Sequence, residues 1–103
     1  MYFMLNVREL PYKDVKISHL SSFDGYQVNF RIKKHLYQFL IGNKKKPFPL
    51  NVMHIFIEKD VCTFCNKTIY PYPAGQQICL EFQKQLPFLL NHFQTICPEA
   101  FTV

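Results

Sequence analysis

The spacing of apolar residues changes once along this chain, and that change limits the fold more than any other feature. In VKISHL (residues 15–20), YQVNFRI (26–32) and LNVMHIFIE (50–58), apolar residues fall at alternate positions, the period of a half-buried strand. From Ile78 onward, Phe82, Leu86, Leu89 and Phe93 follow one another at steps of three or four, the period of an amphipathic helix. Strands therefore dominate residues 1–70 and a helix dominates 74–97. A run of strands followed by a helix predicts an α+β domain, a small antiparallel sheet of about four or five strands covered by one C-terminal amphipathic helix.

Punctuation sets the boundaries. Asp24 and Gly25 form a turn signal, because glycine accepts positive φ without a steric cost. Residues 33–42 fit either a helix face of Leu36, Phe39 and Leu40 or a tight turn at Lys33, Lys34 and His35 that leads into a strand. The strand formers Tyr37, Phe39 and Ile41 favour the second. GNKKKPFP reads as a loop: proline biases the residue before it away from helix, and adjacent lysines repel. The 50–58 run is apolar on both faces, which predicts a central, covered strand, and the short apolar run 2–7 predicts another. Pro87 lacks the N–H that a helix interior uses, so the helix kinks there or stops and restarts with Pro87 in its first turn. Pro98 ends it after Ile96.

A length of 103 residues suits one domain, over 1–103, with a core of moderate size. Phe 11 and Tyr 6 with no tryptophan predict a core of aromatic rings. No apolar run is long enough for a membrane crossing, and no basic-then-apolar leader opens the chain, so a cytoplasmic or otherwise intracellular protein with reduced cysteines is expected.

Charge is uneven. Residues 1–50 carry nine basic groups against Glu9, Asp14 and Asp24, whereas 51–103 carry three against four acidic ones. A localised positive field implies an acidic partner: a nucleic acid, a nucleoprotein or an acidic protein face. Arg31, Lys33 and Lys34 at a hairpin tip and Lys44, Lys45 and Lys46 in a loop are the candidate contacts, with Tyr26 or Tyr37 available to stack on bases. Tyr70 and Tyr72, two aromatics on the YPYP turn, are candidate anchors for a direct protein target. That second mode suits a stoichiometric inhibitor or adaptor, of viral or mobile-element type, that occupies a site on a larger enzyme.

The stretch VCTFCNKTIYPYPAGQQIC lies between the two periodic regions. Cys62 and Cys65 have the C-x-x-C spacing that aims two thiolates at one metal ion. Zinc would need Cys79, Cys97 or a histidine such as His54 or His92 to complete a tetrahedron. The favoured reading has no cofactor: Cys79 and Cys97 are small buried hydrophobes and Cys62 and Cys65 flank a hairpin turn, with zinc as the alternative. A dithiol redox centre is disfavoured, because Pro71, Pro73 and Gly75 break the helix it needs after the motif. Four scattered histidines, three isolated glycines and the Glu58/Asp60 turn supply no recognisable catalytic set. A non-enzymatic basic protein that docks on nucleic acid or nucleoprotein, without a cofactor, is the expectation, with the protein-binding inhibitor and a small zinc-stabilised module as alternatives.

Overall fold

Four strands pair in chain order in the computed structural model, which describes residues 6–19, 24–71 and 78–101. They are β1 (Tyr12–His19), β2 (Gly25–Ile32), β3 (His35–Gly42) and β4 (Phe48–His54), all antiparallel. The β2–β3 turn is made by Lys33 and Lys34 alone, with Ile32 opposite His35 and Lys33 at φ 57°. The expected strand at 2–7 lies mostly outside the described residues, and Asn6 and Val7 are not in a strand.

Alternation decides what each face buries. On β2, Tyr26, Val28, Phe30 and Ile32 point inward, and on β3 Tyr37, Phe39 and Ile41 meet them. The expected aromatic core is present: Phe30 touches Tyr12, Tyr37, Phe82 and Phe93 at centroid distances of 5.2–5.9 Å. Tyr26 and Tyr37 are buried in this core, so the idea that they stack on bases does not hold.

The covering layer is helical but begins later than expected. Ile78 forms a β-bridge to Met53, and Cys79 is extended at φ −81° and ψ 108°. Residues 74–77 lie outside the described residues. Helix α1 (Leu80–Gln83) is followed by a break at Lys84 and Gln85, then by α2 (Leu86–Ile96). Pro87 falls in the first turn of α2, where a missing N–H leaves no intrahelical bond unmade. Leu89, Leu90 and Phe93 of α2 are buried, and a 3₁₀ turn, Pro98–Phe101, ends the fold. No helix among the described residues is long and apolar enough to cross a membrane.

The expectation that residues 50–58 form a central strand is corrected. Among the described residues β4 is the last of the four strands, and it stops at His54. Its free edge meets the returning chain: the Cys79 N–H donates to the Val52 carbonyl (2.9 Å) and the Val52 N–H donates to Gln83 Oε1 (3.1 Å), while Met53 and Ile55 on its outer face stay outside the core. The chain between β4 and α1 thus returns to the edge it left. On the way it forms a small hairpin of β5 (Asp60–Val61) and β6 (Thr68–Ile69).

Candidate metal centre

Three separate segments deliver four metal-ligand side chains to one point. His54 closes β4 on its buried face, in the same inward alternation as Val52 and Phe56. Cys62 and Cys65 occupy the turn between β5 and β6. Cys79 precedes α1, positioned by the same edge contacts that cover Val52. Their ligand atoms all lie within 4.8 Å of one another. His54, Cys62 and Cys79 are buried and Cys65 is half-buried.

The separations have the size a tetrahedral ion requires. Zinc–sulfur bonds near 2.3 Å and zinc–nitrogen bonds near 2.05 Å imply S–S edges of about 3.8 Å and S–N edges of about 3.5 Å. The Cys62 and Cys79 sulfurs are 3.9 Å apart, and the Cys65 sulfur is 3.5 Å from His54 Nε2. All four cysteines are free thiols, so the short Sγ–Sγ approach is not a disulfide.

The surroundings favour negative sulfur. The backbone N–H of Cys65 points at the Cys62 sulfur, that of Lys67 at Cys65, and that of Phe82 at Cys79. Asn66 sits at φ 60°, and its N–H donates to the Cys62 carbonyl (2.8 Å), which tightens the turn that orients both thiols. The buried Tyr37 hydroxyl is hydrogen-bonded with the Cys62 sulfur at 3.3 Å, and it can donate only when that sulfur is the acceptor, as a thiolate would be. Cys62 is held far below the ordinary thiol range, first by its hydrogen bond from Cys79, then by those from His54 and Tyr37. Cys79 is pushed up, first by that same bond and then by burial, while Cys65 is pushed up chiefly by burial.

Aromatic rings seal this cluster. Phe64, between the two knuckle cysteines, lies 5.2 Å from Phe82 and 5.9 Å from Tyr37, and His54 meets Phe56 at 5.3 Å. The knuckle is therefore docked on the main core by its own middle residue.

Cys97, the other expected candidate ligand, does not join. It caps the C-terminus of α2, its N–H bonded to the Phe93 carbonyl (2.9 Å). Eleven helical residues at about 1.5 Å each carry it away from the Cys79 end. His92 is also elsewhere, stacked on Tyr12 at 5.0 Å, its pKa lowered by burial and then by Arg8. The readable signal for the observed cluster was H-x7-C-x2-C-x13-C together with the inward parity of His54 on its strand.

The expected basic contacts stand in two places. Arg31, Lys33 and Lys34 lie at one end of the β2–β3 hairpin, and Lys44, Lys45 and Lys46 at the other, separated by eight-residue strands of about 25 Å. Arg31 faces Asp14 at 3.6 Å, and Lys34 faces Asp60 at 3.0 Å. Asp60 also bonds to His35 (2.9 Å), and its carboxyl is held well below the usual range, first by His35 and then by Lys34. This turn is therefore an ordered tie between the hairpin tip and the knuckle; only Glu58 keeps the solvated character expected of both carboxylates. Lys45 and Lys46 are exposed, and both backbone amides donate to Asn43 Oδ1 (3.1 Å). Tyr70 is 50% exposed with the Lys59 ammonium 5.3 Å from its ring centre, and Tyr72 lies outside the described residues. Neither a family model, nor a curated protein, nor a solved structure matches this chain.

Proposed function

We propose that this chain is a zinc-stabilised, non-catalytic binding module. The observation that carries this reading is the convergence of His54, Cys62, Cys65 and Cys79 within 4.8 Å, at separations that suit one tetrahedral ion. Three sulfurs and an imidazole are the donor set zinc favours. Four protein donors leave no position for a substrate or an activated water, which separates a structural site from a catalytic one. Three thiolates would exceed the charge of a divalent ion by one, and the Tyr37 hydroxyl with the backbone N–H groups offsets that excess. Such a site would join β4, the β5–β6 hairpin and the start of α1, which local strand pairing holds only weakly.

Purified protein should contain about one equivalent of zinc. Cobalt substitution should give the absorption of a tetrahedral thiolate site, and a strong chelator should lower the melting temperature. Protein that carries no metal and melts identically with chelator would overturn the reading.

The module would act by occupying an acidic partner, with nucleic acid and nucleoprotein included. Lys45 and Lys46 support this, since both are exposed and neither makes a salt bridge among the described residues. Glutamate at Lys44, Lys45 and Lys46 should weaken such binding and flatten its salt dependence; an unchanged salt slope would remove this loop from the contact.

A further inference from the structure

The sheet face opposite α2 carries two parallel stripes of different chemistry. Register places Lys13 opposite Arg31 and Lys16 opposite Asn29, so β1 and β2 present Lys13, Lys16 and Arg31 on that side. β3 and β4 present Leu36, Leu40, Met53 and Ile55 there, all half-buried, with the uncharged Gln38 and Asn51 between them, and the stripe ends at Phe48, 50% exposed over Gly42. A depression of about 310 Å³ lined by Asn29, Leu36, Tyr37, Gln38 and Ile55 lies along the boundary. Among the described residues no helix buries this face. With strands about 4.8 Å apart, the stripes are centred about 10 Å from one another, close to the width of one α-helix.

Charge selects the occupant. Among the described residues Asp14 is the one carboxylate placed beside the basic stripe, 3.6 Å from Arg31, whose Nε makes no hydrogen bond. A second copy docking through this same face would bring three more cations against one more carboxylate, so like charges would meet. A bare polyanion would leave the aliphatic stripe uncovered, and the single aromatic, Phe48, offers no line of rings for successive bases. We propose that this face docks an amphipathic helix of a partner protein, its apolar side on the β3–β4 stripe and its carboxylates on Lys13, Lys16 and Arg31. This goes beyond the zinc reading and does not depend on it.

The test titrates the isotope-labelled 103-residue chain, as purified, with a synthetic helix of about 17 residues, as long as an eight-residue strand, bearing leucines on one face and glutamates beside them. Saturable amide shifts confined to the open-face residues of β1 to β4 are expected. Binding should weaken at least about tenfold with K13E/K16E or with Leu40→Asp. A peptide with lysine in place of glutamate should bind the wild type poorly and K13E/K16E better. The proposal is overturned if no shift saturates, if the shifts fall on α2, if charge exchange brings no recovery, or if oligothymidylate binds the same face more tightly than the acidic peptide. Zinc content of K13E/K16E, measured alongside, should stay at one equivalent, so failure of the docking face is distinguishable from failure of the metal site.

Discussion

The β2–β3 hairpin and the segment from residue 55 to Cys79 hold themselves together by different means. The hairpin pairs eight residues with eight across a two-residue turn, and every inward side chain is buried. The later segment pairs two residues with two, leaves Ile57 75% exposed, and contributes Phe56, Cys62, Phe64 and Ile69 to the core at scattered points. One region is stabilised by continuous apolar area and a full hydrogen-bond ladder. Among its described residues the other shows less of both, and its closest convergence is the set of thiols at its centre. The ion proposed above would supply a cross-link where regular structure is short.

That contrast breaks most sharply at the ligands. Cys79→Ala, or chelation of the wild type, should abolish tight cobalt binding and cost several kcal/mol of stability, since metal binding to such a site is coupled to folding. Amide exchange should rise through residues 55–79 while β2 and β3 stay protected; equal loss in both regions would show that the two are not separable. Phe30→Ala should do the reverse, with a cost of about 3–5 kcal/mol and metal stoichiometry retained in the folded fraction, as read by denaturant unfolding and zinc content.

Smaller changes sharpen the same comparison. Tyr37→Phe keeps the ring in the core and deletes only the hydroxyl that is hydrogen-bonded with Cys62. It should cost about 1 kcal/mol and weaken metal affinity by about tenfold or more, measured by competition with a chromophoric chelator; an unchanged affinity would mean that the hydroxyl does not tune the sulfur. Cys97→Ser should leave zinc content at one equivalent and change stability by less than about 1 kcal/mol. Loss of metal in that variant would return Cys97 to the ligand set.

Much of the sheet was legible because its evidence is local. Val28, Phe30 and Ile32 declare their face by position, and Lys33 with Lys34 could connect two such strands only by a tight turn. The break near Pro87 follows from a missing N–H. Residues 50–58 read as central because both faces are apolar, yet apolar content on a face does not show that anything covers it: Met53 and Ile55 lie on the outer face, outside the core. Ile78 misled for a related reason: its spacing to Phe82 fits a helix, but its backbone is bonded to Met53 across the β4 edge.

By itself the sequence determined the α+β class, the sheet-forming parity, the aromatic core and the C-x-x-C half of the metal cluster, since each depends on residues a few positions apart. Only the tertiary structure decided which other groups complete the cluster. Cys79 and Cys97 are equally plausible by composition, yet the return of the chain to the Val52 edge carries Cys79 inward and the direction of α2 carries Cys97 away. His54 joins because the inward side of β4 ends where the knuckle docks, a coincidence of distant segments that no local spacing encodes.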